Sequence, residues 1–250
     1  MDTGTIVAVA AIGAAVGFLG GLFGKGGSAI ATPLLHAAGL SAIVAVASPL
    51  PSAIPATLLA SYAYWREDLV DRGVVRRAIV WGVPATALGA YASRWTGGGP
   101  LVLATEVIIA LLGLRFLVHP GEPHEVGTRP PALRSRLIVV ALVVGLLSGL
   151  LANGGGFLLA PLFVLVLHLP IKQAFASSLV VAAALAVPGT IVHAALGHID
   201  WTVVLVFGCA AVPLSFLGAR AAIRTESVRL ERVYGAALLA LGLVTLATSL

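Results

Sequence analysis

The chain has 250 residues, 59% of them hydrophobic and only 10% charged, and a mean hydropathy of +1.06. Water-soluble domains carry about 25% charged residues, so this chain cannot cover a surface in water and belongs in a bilayer. Its formal charge of +5 sits mostly in arginines beside apolar segments rather than in aromatic-interleaved basic runs, which excludes nucleic acid as a partner, and the lone Cys209 excludes a disulfide framework.

Apolar segments follow one another at about Thr5–Phe23, Ser28–Ala38, Ala42–Trp65, Val74–Trp95 and Leu101–Val118. The first lacks a basic leader and reads as a retained helix rather than a cleaved signal peptide. A hydrophilic stretch, His119–Arg136, is rich in Pro, Gly and charge and reads as a linker. Five more segments come after it, at about Leu137–Leu151, Phe157–His168, Ile171–Ala195, Trp201–Ala222 and Leu230–Ser249. Crossing about 30 Å of hydrocarbon takes roughly 20 helical residues. The second segment of each half reaches only about 18 Å at 1.5 Å per residue, too short to span.

Each short segment follows a glycine cluster: Gly21-Leu-Phe-Gly24-Lys25-Gly26-Gly27-Ser28, and Gly149-Leu-Leu-Ala-Asn153-Gly154-Gly155-Gly156. These lie 128 positions apart and both lead to Pro-Leu, at Pro33 and Pro161. Beyond them an offset of 129 pairs Ser48 with Ser177, Asp71 with Asp200, Pro84 with Pro213, Gly89 with Gly218 and Gly113 with Gly242. A colinear set of this kind marks internal duplication. The expected division is therefore a first repeat over 1–118, a linker over 119–136 and a second repeat over 137–250, all within one membrane domain.

Arginine placement orients the copies. Arg66, Arg72, Arg76 and Arg77 surround the loop after the third segment, whose counterpart around Gly197–Asp200 has none; the loop after the fourth segment reverses this, with Arg220, Arg224, Arg229 and Arg232 in the second half. Cytoplasmic loops accumulate Lys and Arg, so equivalent loops fall on opposite faces. The expectation is an all-α, polytopic inverted repeat with re-entrant or broken helices and eight to ten membrane elements. It sits in the cytoplasmic membrane with the linker inside and both termini outside.

The paired glycine motif followed by Pro-Leu, in a basic chain of this length, resembles the TauE/SafE family, also called the sulfonate uptake permease superfamily. The likeness covers nearly the whole chain, including the Gly197-His-Ile-Asp200-Trp201 turn. It implies a bacterial multi-pass carrier for sulfite, small organosulfonates or related sulfur-containing anions. Lys25 and Ser28 in the first motif, and Asn153 in the second, depart from the usual pattern.

Residue chemistry agrees with an anionic ligand. Irregular backbone at membrane depth is tolerated only where it meets protein or lines a cavity, and a matched pair of such breaks points to a transporter's binding site. A helix that starts after a glycine cluster leaves its first N–H groups unpaired at the positive end of its dipole. The candidate substrate site is therefore Gly24, Lys25, Gly26, Gly27 and Ser28 with Asn153, Gly154, Gly155 and Gly156. Ser48, Ser177 and Ser178 join it if their hydroxyls face the cavity; bonds to their own helix backbone are the alternative. Lys25 contacts the ligand or, with the hairpin tip at the surface, is solvated; Asn153 binds substrate or caps a helix. Lys172 reads as an interfacial anchor. His193 is either a titrating group that couples transport to protons or a hydrogen-bonded structural residue. Trp81 reads as packing, and the glycines spaced by four in the first and sixth segments as close helix contacts.

No pair of acids lies within a predicted span and no His/Glu cluster has metal-ligand spacing, so enzymatic chemistry, a cofactor and a metal are not expected. The reading is a secondary transporter working by alternating access on a small anion, within the lipid bilayer and with its oligomeric state open. The alternatives are a small-anion channel and a structural membrane subunit.

Overall fold

The computed structural model describes residues 2–24, 28–92, 99–118, 133–150 and 156–249. Among these the chain is wholly helical, in the order α1 (Thr3–Leu22), α2 (Ser28–Ala37), α3 (Ala42–Ala47), α4 (Pro49–Trp65), α5 (Arg72–Ala92), α6 (Gly99–Val118), α7 (Leu133–Leu150), α8 (Gly156–Leu165), α9 (Ile171–Ala195), α10 (Trp201–Arg224) and α11 (Ser227–Ser249). Four stretches of the described residues are long and apolar enough to cross a membrane: Thr3–Leu22, Ala42–Trp65, Ile171–Ala195 and Trp201–Arg224.

Two expectations need adjustment. The third segment of the first half is divided at Ser48, because Pro49 has no N–H to donate. Ser48 itself keeps helical angles, φ −68° and ψ −28°, so the hydrogen-bond ladder breaks while the path continues. The last four residues of the expected linker, Leu133–Arg136, are already the first turn of α7; residues 119–132 lie outside the described part.

Small residues bring the helices together. Gly13, Gly17 and Gly21 lie in turn against Phe207, Ala211 and Ser215, so α1 and α10 run parallel. Gly145 lies against Gly82, and Gly149 against Thr86, so α7 and α5 also run parallel. Two contacts of each pair of helices map onto one another by the offsets of 128 and 129 read from the sequence: Gly17 to Gly145, Ala211 to Gly82, Gly21 to Gly149 and Ser215 to Thr86. The equivalent helices α6 and α11 touch each other directly, Gly113 against Leu239 and Gly242 against Ala110, and they run antiparallel.

Helix ends recur in the same register. After α4, Leu69 N–H donates to the Tyr64 carbonyl at 3.1 Å; after α9, His198 N–H donates to the His193 carbonyl at 3.0 Å. These close Schellman-type turns, and the left-handed residue they require is Asp68 (φ 54°) in one and Gly197 (φ 69°) in the other. Asp71 then caps α5 through Gly73 and Val74 N–H, and Asp200 caps α10 through Thr202 and Val203 N–H.

The core centres on α8 and α9, which supply the fully buried Leu159, Phe163, Ile171, Phe175 and Leu179. Phe175 meets Tyr234 of α11 edge-on at 4.9 Å between ring centres, and Phe23 and Phe116 close on the same tyrosine at 5.4 and 5.5 Å. This aromatic cluster seats the end of α1, and with it the start of the first glycine motif.

Candidate substrate site

Gly24 leaves α1 with φ 64°, a conformation that suits a residue without Cβ. It lies directly on α9: a Cβ here would come within 2.6 Å of Ser178 Oγ and 2.8 Å of Phe175 Cα. The Ser178 hydroxyl reaches the Gly24 carbonyl at 3.2 Å and the Phe175 carbonyl at 2.9 Å. The break is thus held against the central helix on one side. Lys25, Gly26 and Gly27 lie outside the described residues, as do Asn153, Gly154 and Gly155. Ser28 and Gly156 are the first residues of α2 and α8, each ten residues long. These two short helices lie next to one another.

Ser48 and Ser177 are fully buried and form a reciprocal pair of clasps. Ser48 Oγ accepts the N–H of Asp200 at 3.0 Å, and Ser177 Oγ accepts the N–H of Asp71 at 3.1 Å. Their oxygens therefore hold the N-caps of α10 and α5, each from the opposite half of the chain.

A cavity of about 870 Å³ opens between α5, α7 and α9. Its walls are mainly apolar, with Ala87, Ala186 and Val187 among them, and Gly149 places it beside the second glycine motif. The few polar groups on it include Thr86, Ser148, His193 and His198. Thr86 donates to the Gly82 carbonyl at 2.9 Å, whereas the buried Ser148 Oγ has no hydrogen-bond partner among the described residues. The Schellman turn after α9 sets His193 beside His198, with the two Nδ1 atoms 3.1 Å apart. A separate, smaller pocket of about 40 Å³ is lined by residues of α1, α2, α4 and α10.

Several functional features were not evident from the sequence. The cavity depends on small side chains contributed by three distant segments. Ser148 stands out only through its missing partner. Glu231, one turn into α11, is buried, although it lies near a segment end. Trp81 is 45% exposed on α5, so it faces outward instead of packing. Lys172, at the unfavourable end of α9, serves another helix: its Nζ donates to the Ile223 carbonyl in the last turn of α10 at 2.7 Å. Among the described residues no three His, Cys, Asp or Glu side chains gather closely enough to hold a metal.

A helical bundle of apolar spans, with two glycine-led half-helices next to one another and a cavity beside one of them, has the architecture of a membrane transporter. Residues 9–245 match the family described as sulfite exporter TauE/SafE, and the chain belongs to that family. It is 27% identical to a probable membrane transporter protein of Xylella fastidiosa strain 9a5c, over 97% of this chain and 95% of that one. A probable membrane transporter protein of Bacillus subtilis, YunE, is 24% identical over 86% of each chain, and a second, YjnA, is 22% identical over 95% of this chain and 98% of its own. No solved structure matches the chain with significance.

Proposed function

We propose that the chain is a secondary transporter of small sulfur-containing anions, sulfite or an organosulfonate, built as an inverted repeat that exposes one site to each face in turn. The observation that carries this reading is that α2 and α8, each begun by a glycine cluster, lie next to one another in a bundle whose contacts recur when the halves are exchanged. Antiparallel α6 and α11, equivalent in sequence, support the inversion. The cavity of about 870 Å³ between α5, α7 and α9 supplies the space that a transported anion needs.

In this reading the N–H groups opening α2 and α8 bind the anion together with Lys25 and Asn153, and Gly24, Gly26, Gly27, Gly154, Gly155 and Gly156 let it approach the backbone. Each helix end contributes about 0.3–1 kcal/mol, up to ~2 where partly buried, which suits a ligand that must also be released. Ser28 adds an N-terminal hydroxyl, while Ser48, Ser177 and Ser178 brace the site. His193, bonded to His198, is the proposed proton handle. The chain lies in the cytoplasmic membrane with its 119–132 segment inside, following the arginine asymmetry.

Reconstituted proteoliposomes test this. Sulfite or taurine flux should saturate and show trans-stimulation, and Lys25→Ala and Gly155→Val should each lower it while the purified protein keeps its melting temperature. Current that scales with driving force without saturation would identify a channel instead. Unchanged kinetics in both variants would refute the site.

A further inference from the structure

We infer that Arg66, Arg220 and Arg224 form an oxyanion-binding site between the ends of α4 and α10, a waiting position for the transported anion. The inference rests on the carrier reading above. These three guanidiniums line a pocket of about 170 Å³ with Glu67 as the one acidic side chain in its wall. Three positive groups against one negative leave an excess of two positive charges. Among the described residues, none of the three arginines has a carboxylate within ion-pair distance.

The site is partly rigid before any ligand arrives. The Arg220 guanidinium lies over the Phe216 ring at 4.7 Å, which fixes the plane of its donors. Lys172 holds the Ile223 carbonyl beside it, steadying the last turn of α10. Cations at helix C-termini gain from the dipole, but that accounts for one arginine per helix end and not for three turned to one pocket.

Exchange of the halves shows what the pocket corresponds to. At an offset of 129, Ala63 maps to Val192, Glu67 to Leu196, Phe216 to Ala87 and Arg220 to Tyr91. All four counterparts line the large cavity. By this offset the arginine pocket corresponds in part to the large cavity of the other half. The arginine pocket carries three guanidiniums, and the described lining of the large cavity carries Tyr91 and the His193–His198 pair. Planar guanidinium donors match the oxygens of sulfite, sulfonate or phosphate groups, so the ligand is an oxyanion. A free anion and the phosphate of an anionic lipid share this chemistry.

Calorimetric titration of the purified protein with sodium sulfite, in nanodiscs of phosphatidylcholine and of phosphatidylglycerol, separates them. Arg220→Gln and the double variant Arg66→Gln/Arg224→Gln should each weaken sulfite binding by about tenfold or more, with unchanged melting temperatures. Arg220→Lys keeps the charge, loses the fork, and should recover only part of the affinity. Equal sulfite affinity in both lipids, lost in the variants, supports the waiting position. If the variants bind sulfite like the wild type while wild-type proteoliposomes carry it, the site is wrong and the carrier stands. If wild-type protein neither binds nor moves any anion tested, the carrier reading falls with it. Arginine-dependent stabilisation by phosphatidylglycerol without sulfite binding would make the pocket a lipid anchor and overturn the proposal.

Discussion

Ser48 Oγ accepts the backbone N–H of Asp200 at 3.0 Å, joining the bend between α3 and α4 to the N-cap of α10 across the two halves of the chain. The same bond exists with the halves exchanged, from Asp71 N–H to Ser177 Oγ at 3.1 Å. Each serine is fully buried. Each also holds a helix start whose aspartate is already engaged in capping. The clasps therefore tie the central helices to the helices that pack against the opposite half.

Removing a clasp leaves a buried N–H without its acceptor. Ser48→Ala and Ser177→Ala should each cost about 1 kcal/mol. Because the bonds share no partner, the double variant should come within about 0.5 kcal/mol of the sum. Unfolding by graded SDS in mild detergent measures this. Wild-type midpoints in both single variants would show that the serines hold nothing.

Helix positions were largely legible because glycine clusters, prolines and arginines punctuate an otherwise uniform apolar chain. The offset of 129 between Ser48 and Ser177, and between Asp71 and Asp200, was legible as well. That the pairs would bond crosswise was not, since sequence offset reports equivalence and says nothing of which equivalent residues meet. The division at Ser48 escaped because hydropathy does not register a missing N–H at Pro49. That Gly24 would lie on α9 was not legible either, because a glycine in a sequence does not say which helix packs against it. The cavity was hidden for a different reason: it is a space left by small residues on α5, α7 and α9, and no single stretch of chain carries its signature.

Close helix approach makes particular glycines intolerant. A Cβ at Gly17 would strike the Ala211 backbone, and one at Gly145 the Gly82 backbone, while one at Gly20 meets nothing within 4 Å. Gly17→Val and Gly145→Val should each destabilise by about 1–3 kcal/mol through forced helix separation. Gly20→Ala should fold like the wild type. The recovery of monodisperse protein after solubilisation separates the two classes. Normal recovery of both valine variants would mean that the helices can part freely.

Ser148 provides a direct view of which face the large cavity meets. Its buried hydroxyl lines that cavity, and Cys209 is the chain's one cysteine. In a Cys209→Ser background, Ser148→Cys should react with a membrane-impermeant thiol reagent from one side of oriented vesicles only, and excess sulfite should slow the reaction. Equal labelling from both sides would contradict a cavity open to a single face.

The His193–His198 pair should confer pH dependence on flux. With both rings neutral, one Nδ1 donates to the other at 3.1 Å; with both protonated, each is a donor and the pair repels. Among the described residues no carboxylate, lysine or arginine lines the cavity with them; Tyr91 does, and Asp200, two residues beyond His198, has its carboxylate on the Thr202 and Val203 amides. Acidification on the cavity side therefore adds positive charge to the described lining, which favours anion capture from that side. Flux into the cavity should thus rise as the pH on that side falls. The slope should not exceed about tenfold per unit for a single proton. His193→Gln removes the titrating ring, keeps a side chain that can bond His198, and should flatten the profile while transport at the alkaline end persists. A wild-type profile that is already flat, or an unaltered slope in the variant, would remove the histidines from the transport cycle.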